Sequence, residues 1–243
     1  MRSRLRLLSA ALIIAGVLLV GDAVATVVWQ EPVTAVRNQI AQRQLADDLT
    51  RRTLAAVEVP AVIERAAPRR RSAFLARRLR RGLRSGDALG RIRAPAVGLD
   101  ARMVEGVGSS ALRQGPGHYP DTALPGEPGT VAVAGHRTTY GAPFRRLDDL
   151  DRGDRVTLEL AYGQSIYQVE RTRIVPPTAT SVTRRVGYDR LVLTACHPLY
   201  SAAQRIVVFA RLISAPDRRA AAEGNASAQA TWTSSSTATA WSR

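Results

Sequence analysis

Residues 189–213 read DRLVLTACHPLYSAAQRIVVFARLI and contain two β-rich apolar runs joined by a polar loop. Short runs rich in Val, Ile and Leu and bounded by turn-forming residues are typical of buried strands. The stretch therefore predicts an antiparallel hairpin. In that hairpin Cys196 ends the first strand and Arg205 starts the second, so both lie near the same rim of the sheet.

Similar runs fill the segment from Gly90 to Ser214. They read RIRAPAVG, ARMVEG, TVAVAGH, DRVTLELAYG and QSIYQVERTRIV, and Gly, Pro or Asp lies between them. Only one or two turns, around Ser109–Gln114 and Phe144–Leu150, follow a helical period. Closely spaced strands with hairpin links predict a mostly β domain over residues 90–215, either an antiparallel barrel or a sandwich.

The N-terminus carries the signature of a membrane anchor. Three arginines precede an apolar stretch from Leu7 to Trp29, and about 20 apolar residues suffice to cross a bilayer. Residues 1–29 are therefore predicted to form a single-pass anchor, with the N-terminus inside and the rest of the chain extracellular. The alternative is a signal peptide cleaved after Ala23-Val24-Ala25. Both interpretations place the rest of the chain outside the cytoplasm.

Residues 30–89 are predicted to be a helical and arginine-rich stalk. Apolar residues recur at helical spacing from Val36 to Val57, and residues 65–84 then carry nine arginines and no acidic residue. Such a segment is either a solvated linker or a surface for anionic lipid headgroups or wall polymers. Nucleic acid is not expected, because no aromatic residues alternate with the arginines. Residues 216–243, rich in Ala, Ser and Thr, are predicted to be a disordered tail.

The overall composition adds two constraints. The formal net charge is +15, and all 35 basic residues are arginines, which favours a polyanionic partner without choosing one. Cys196 is the only cysteine, so an intrachain disulfide is excluded.

Cys196 is either a small buried hydrophobe or a nucleophile. A free thiol, with a pKa of about 8.5, needs a nearby base or cation to be reactive at neutral pH. His136 follows a strand-like run into a polar loop, which suits proton transfer. His197 adjoins the cysteine, but neighbours on an extended chain point to opposite faces. His118, in GPGHYP, either lines a cleft or caps a turn.

Arg205 is the third candidate for the chemistry around Cys196. Its guanidinium group has five fixed donors, which can hold a substrate carbonyl or an oxyanion. The alternative is an ordinary exposed arginine.

Three segments together resemble the sortases, and in particular the class E sortases of high-GC Gram-positive bacteria. They read AGHRTTYGAPFRRLDDLDRGDRV, LVLTACHP and SAAQRIVVFARL, with GPGHYPDTALPGEPG upstream. The resemblance covers Arg91 to Ile213, about half of the chain, and the segments occur in the family's order.

The resemblance implies an eight-stranded β-barrel and a cysteine transpeptidase. Such an enzyme cleaves C-terminal sorting signals of the LPXTG or LAXTG type between Thr and Gly, and transfers the protein to an amine of a peptidoglycan precursor. By similarity Cys196 is the nucleophile, His136 the general acid and base, and Arg205 the group that holds the substrate backbone and oxyanion. No cofactor and no metal is expected.

The resemblance also suggests which residues contact the substrate. The family's TLXTC signature falls on residues 192–196, where Val192 and Ala195 replace its two threonines. Thr194, Ala195, Tyr119 and His118 are assigned to the substrate site, and the missing hydroxyl at Ala195 is expected to affect signal preference. The loop over residues 175–190 is expected to form a wall of the signal groove.

Three other functions remain open on the sequence. A cysteine protease would use the same nucleophile and base, with water as the acceptor. An L,D-transpeptidase carries an SHGC pattern, and Thr194-Ala195 in place of its His-Gly counts against that assignment. A catalytically idle, arginine-rich anion-binding module is the third.

Overall fold

A computed structural model describes residues 2–29, 32–54 and 61–217, and within them eight strands form a closed barrel. The strands are β1 (Ala88–Ala94), β2 (Leu99–Glu105), β3 (Gly117–His118), β4 (Thr130–Ala134), β5 (Arg155–Leu160), β6 (Gly163–Val175), β7 (Arg190–His197) and β8 (Gln204–Asp217). Around the barrel their order is β1-β2-β3-β4-β7-β8-β6-β5. The eight-stranded barrel implied by the resemblance is confirmed, whereas the open sandwich is not formed.

Most neighbouring strands are antiparallel, but β2 with β3 and β4 with β7 are parallel. The predicted hairpin of β7 and β8 is confirmed, and its register pairs Cys196 with Arg205. The two-residue strand β3 has no counterpart among the predicted runs, because it is too short to show alternation.

Strand β7 is covered on both faces. Leu191, Leu193 and Ala195 point into the main core of the barrel. Val192 points the other way and packs against a second cluster that includes Val207. Double coverage explains why residues 191–193 read as a continuous apolar run rather than as an alternating pattern.

The N-terminal helix α1 runs over Arg2–Trp29. Its Arg6–Val24 stretch is exposed, long and apolar enough to cross a membrane, although a signal sequence has the same length and composition. The sequence's prediction of an apolar N-terminal helix is confirmed. The direction in which the chain crosses stays a prediction.

Helix α2 (Pro32–Leu54) confirms the helical prediction but is not a free stalk. Leu45 is only 4% exposed and packs with Val104 and other small apolar residues. The Gln42 side chain donates to the carbonyls of Arg102 and Gln114 at 3.1 and 2.8 Å and accepts from the Arg102 amide at 2.6 Å. Helix α2 is therefore docked on the barrel, because its apolar positions find a matching face on β1 and β2.

The arginine-rich segment is likewise not a linker. After the short helix α3 (Ala61–Glu64), helix α4 (Pro68–Gly82) buries Ser72, Leu75 and Ala76 against the barrel. Arg80 donates to the carbonyl oxygens of Pro120 and Thr122 and forms an ion pair with Glu127 at 2.5 Å. The prediction of a self-repelling linker fails because the apolar residues between the arginines fall on one helix face.

Short helices complete the domain. Helix α5 (Ser109–Leu112) and a 3₁₀ turn at Leu147–Asp149 lie within the two segments predicted to be helical. Strand β8 continues to Asp217, two residues into the predicted tail. The tail prediction for residues 218–243 lies outside the described residues, as do residues 30–31 and 55–60 of the predicted stalk.

The docking of α2 can be tested by Leu45→Ala. We expect it to lower the free energy of unfolding of the full chain by about 2–3 kcal/mol, because a buried leucine is replaced by a cavity. Denaturant unfolding in detergent measures the change. The matched control is Ile40→Ala, because Ile40 lies on the same helix and is 52% exposed; it should cost less than about 0.5 kcal/mol. Equal effects of the two substitutions would argue for an undocked stalk.

Candidate active site

Cys196 is the penultimate residue of β7, and it is half-buried. Side chains alternate along a strand, so Cys196 shares the outer face of the barrel with Thr194 and Val192. The rigid, doubly covered strand thus holds the thiol while leaving it partly accessible.

Arg205 lies directly across from Cys196 in the β7–β8 ladder. Its Nη1 donates to the carbonyl oxygens of Ala202 and Gln204, both at 2.9 Å, in the loop that joins the two strands. These bonds to its own loop hold the guanidinium group at the rim. The predicted proximity of Cys196 and Arg205 is therefore confirmed.

His136 comes to the same rim through the parallel pairing of β4 with β7. Ala134 pairs with Thr194, and the amide of Gly135 donates to the carbonyl of Thr194 at 3.0 Å. This register brings the residues that follow β4, among them His136, to the end of β7 that carries Cys196. His136 and Cys196 are far apart in the sequence. They approach each other because the chain crosses over between β4 and β7, which the sequence separation does not indicate.

The surroundings of His136 favour the neutral form of its imidazole. Partial burial, and secondarily the positive charge of Arg113, lower the pKa of His136 below its ordinary value. Its ring lies 5.0 Å from the Tyr140 ring, centroid to centroid, with 43° between the planes.

Helix α2 contacts the loop that follows His136. The Tyr140 amide donates to the Thr34 hydroxyl at 3.3 Å. The neighbouring Gly141 has φ of +74°, and a Cβ there would lie 2.4 Å from Oδ1 of Asn38. Only glycine satisfies both the left-handed backbone and this close approach. The beginning of α2 thus shapes one side of the site.

A groove of about 530 Å³ lies near this rim; Arg205 lines it, whereas Cys196 and His136 do not. Its lining also includes Thr194 and Val207. The Tyr119 hydroxyl lies 3.0 Å from the Thr194 hydroxyl, so the two are hydrogen-bonded. The loop over residues 175–190 lines this groove, through Pro176, Pro177, Val182, Thr183, Arg184 and Arg185 among others. That the sorting signal binds there stays a prediction.

The structure does not bring His118 to the groove. Its side chain is 1% exposed, and its Nδ1 lies 2.9 Å from Oε2 of Glu105. Its Nε2 lies 3.0 Å from the carbonyl oxygen of Ala123 and 3.1 Å from the hydroxyl of Thr122. The assignment of His118 to the substrate site is therefore corrected: the residue ties β2 to the turn after β3.

Ala195 is also removed from the substrate site. It is 4% exposed and belongs to the main core, together with Leu193 and Ile206. Because the Cβ of Ala195 points into the barrel, a threonine at this position would carry its hydroxyl into the core and not into the groove. The expected effect of Ala195 on signal preference loses its physical basis.

Sequence reasoning missed Arg137, which is 2% exposed. It donates to the carbonyl oxygen of Cys196 at 3.5 Å and lies 3.3 Å from Nδ1 of His197. It also donates to the carbonyl of Arg145 and pairs with Asp148 at 2.6 Å. Its place directly after His136 was the available signal, but one arginine among 35 does not stand out.

Among residues 2–29, 32–54 and 61–217, no group of three or more His, Cys, Asp and Glu side chains is arranged to hold a metal ion. The expectation that none is needed stays a prediction.

Known proteins with similar sequences point to one family. The sortase domain family matches residues 92–213, about half of the chain. Sortase D of Bacillus subtilis (strain 168) is 33% identical over 134 residues, which are 54% of this chain and 66% of that protein. The chain spans no more than about two thirds of the curated relatives that it matches.

Solved structures agree with this family. Sortase E of Streptomyces avermitilis has a TM-score of 0.50 and 34% identity, over 54% of this chain and 91% of that one. A Clostridium perfringens sortase D5 transpeptidase has a TM-score of 0.58 over 72% of this chain and 99% of that one, but its 20% identity shows the fold alone. With a matching family model, a similar relative and the closed barrel, the chain belongs to the sortase family.

Proposed function

We propose that the chain is a cysteine transpeptidase that cleaves a C-terminal sorting signal between Thr and Gly and transfers the released protein to a cell-wall amine. The observation that carries the proposal is the convergence of three strand ends at one rim. Cys196 is the penultimate residue of β7, and Arg205 pairs with it from β8. His136 lies two residues after β4, the strand that pairs with β7 on its other side.

In the first half-reaction the sulfur of Cys196 attacks the carbonyl carbon of the signal's threonine. The thiol proton passes to the neutral imidazole of His136, and the guanidinium of Arg205 stabilises the tetrahedral oxyanion. The C–N bond to glycine then breaks as His136 gives its proton to the leaving amine. A thioester between Cys196 and the threonine carbonyl remains.

In the second half-reaction the acceptor is an amine and not water. His136 takes a proton from the incoming amine, whose nitrogen attacks the thioester carbonyl. Collapse of this second intermediate breaks the C–S bond and regenerates Cys196. A new amide bond replaces the one that was cleaved, so the exchange needs no external energy source.

The lowered pKa of His136 supports this division of labour. A neutral imidazole at physiological pH is ready to accept the thiol proton, and it becomes a donor only once the attack has occurred. Both roles therefore fall to one residue, in sequence.

The groove fits an extended peptide better than a small molecule. It is open to solvent, and residues of β7, β8 and the loop over residues 175–190 line it together. The hydrogen-bonded pair of Tyr119 and Thr194 also lines it and offers hydroxyl groups to the signal's backbone. We assign Tyr119 and Thr194 to substrate binding, and expect LAXTG-type or LPXTG-type signals.

The cellular setting follows from α1. If this helix anchors the chain with its N-terminus inside, the barrel lies outside the cell, where secreted proteins and peptidoglycan precursors meet. An N-terminal signal peptide would give an exported, unanchored enzyme with the same chemistry.

Helix α4 supports a second, non-catalytic contact with an anionic lipid surface. Its barrel-facing side is buried, whereas Arg69, Arg70, Arg77, Arg78 and Arg81 are exposed. Because the helix carries no acidic residue, its outer face presents unbalanced positive charge to lipid phosphates.

The transpeptidase proposal is tested with the full chain, an LAXTG peptide, an LPXTG peptide and an excess of a small amine, with products identified by mass spectrometry. We expect cleavage after threonine and a ligated product, and none of either from Cys196→Ala. Arg205→Ala should lower kcat by about 100-fold, because an oxyanion donor is lost. Arg173→Ala, which removes an exposed arginine from the adjacent strand, should have no effect.

Two outcomes would contradict the proposal. Cleavage with water as the sole acceptor, at every amine concentration, would indicate a protease. A folded chain that leaves both peptides intact would favour the idle anion-binding module.

The protonation of His136 is tested by NMR titration of the full chain in detergent. We expect its pKa to lie below the usual value of about 6.5. Arg113→Ala should raise it only partway, because burial is the larger cause. The acid limb of kcat/KM should move to higher pH in the same variant. Arg152→Ala removes an equal charge from an exposed turn and should leave the titration unchanged; a shift of equal size there would contradict the local role of Arg113.

The lipid contact of α4 is tested by hydrogen–deuterium exchange of the full chain in nanodiscs. Residues 68–82 should exchange more slowly in discs that contain phosphatidylglycerol than in discs of phosphatidylcholine alone. Charge reversal at Arg70, Arg77 and Arg81 should abolish the difference, and added salt should weaken it. Identical exchange in both discs would refute a lipid contact.

A further inference from the structure

Arg137 is a fully buried guanidinium group located between the two chain segments that carry the proposed nucleophile and base. Its side chain is 1% exposed. A charge buried to this degree is costly unless its donors are all matched. The arrangement of its partners therefore carries information about what the residue does.

The five N–H groups of Arg137 face five acceptor contacts. Nε and Nη2 lie 3.3 and 3.1 Å from the carbonyl oxygen of Arg145, and Nη2 also lies 2.6 Å from Oδ1 of Asp148. Nη1 faces the carbonyl oxygen of Cys196 at 3.5 Å and Nδ1 of His197 at 3.3 Å. One edge of the fork is thus held by the loop after β4, and the other edge holds the end of β7.

The contact with His197 fixes a tautomer. A guanidinium group donates hydrogen bonds and cannot accept them. Nδ1 of His197 must therefore carry a lone pair, and the ring proton must be on Nε2. Nδ1 of His197 is thus occupied by the hydrogen bond from Arg137. This bond restricts rotation of the His197 side chain, which follows Cys196 directly.

We propose, on the basis of the transpeptidase function above, that Arg137 is a positioning residue: it clamps the Cys196 carbonyl and the His197 ring to the loop that begins with His136. The backbone of Arg137 follows His136 directly, and its side chain reaches the strand end that bears the thiol. The Arg137 side chain therefore sets the distance between His136 and Cys196, which lie beyond the last residue pair between β4 and β7.

The clamp predicts a loss in kcat with little change in KM. Arg137→Met keeps the length and fills the space but removes all five donors. Because displacement of a reacting group by about 1 Å can cost 10²-fold in rate, we expect kcat to fall by about 100-fold. KM for the peptide should stay near the wild-type value, since the groove is unchanged. Arg137→Lys keeps the buried charge but lacks the fork, so it should recover most of the unfolding temperature and little of kcat.

Two readouts do not depend on transpeptidation. In ¹⁵N-histidine spectra of the wild-type full chain, His197 should show an unprotonated Nδ1 and a protonated Nε2, and Arg137→Met should mix the two tautomers. The rate of Cys196 alkylation by iodoacetamide should also change in Arg137→Met. The matched control is Arg190→Met, which removes another buried arginine at the opposite end of β7 and should leave the His197 spectrum unchanged.

The outcomes separate the clamp from the proposed function. A protonated Nδ1 in wild-type His197 would overturn the clamp even if no variant folded. Wild-type kcat in a folded Arg137→Met would overturn it as well. If the peptides are not ligated but the His197 spectrum changes as expected, the clamp stands and the transpeptidase function fails.

Discussion

The pairing of β7 with β4 on one side and β8 on the other is the constraint on which the site depends. Strand β7 is buried on both faces, and a slip of its register by one residue would turn Thr194 and Cys196 into the main core and Leu193 and Ala195 out of it. Cys196 is therefore fixed relative to Arg205 by an antiparallel ladder, and its strand is fixed relative to β4 by a parallel ladder in which Thr194 pairs with Ala134. The candidate active site is the place where these two ladders end, at which side chains leave the packed wall and meet solvent.

Hydrogen bonds between paired strands fix the positions of strand residues, but not those of the residues that follow the strands. His136 lies two residues past the end of β4, where no further strand pairing limits its motion. Burial, the contact with Tyr140 and the approach of α2 to Gly141 limit it instead. Arg137 adds a side-chain link at the same place, which is why a buried charge is found so close to the reacting groups.

The arginines of this chain have several distinct uses that net charge conceals. Arg137 and Arg190 are buried and satisfied by carbonyl oxygens. Arg80 fastens α4 to the barrel, and Arg205 lines the groove. Only part of the formal charge of +15 is thus available to an anionic partner. A guanidinium group serves all these roles because it is planar, permanently charged and donates in fixed directions.

The sequence by itself determined the strands whose apolar runs were long enough to read, the hairpin that pairs Cys196 with Arg205, and the apolar N-terminal helix. These features depend on local periodicity or on residues close in the chain, and both are visible without coordinates. The sequence also identified His136, but through its loop context and the family resemblance rather than through its distance from Cys196. Only the tertiary structure decided that residues 68–82 fold onto the barrel, since the arginines mask an apolar face that becomes continuous only on a helix. It likewise decided that His118 and Ala195 face the interior and that Arg137 joins the two reacting segments. Burial and partners are set by which strands meet in the closed barrel, and the parallel contact of β4 with β7, between segments about 60 residues apart, has no local signature in the chain.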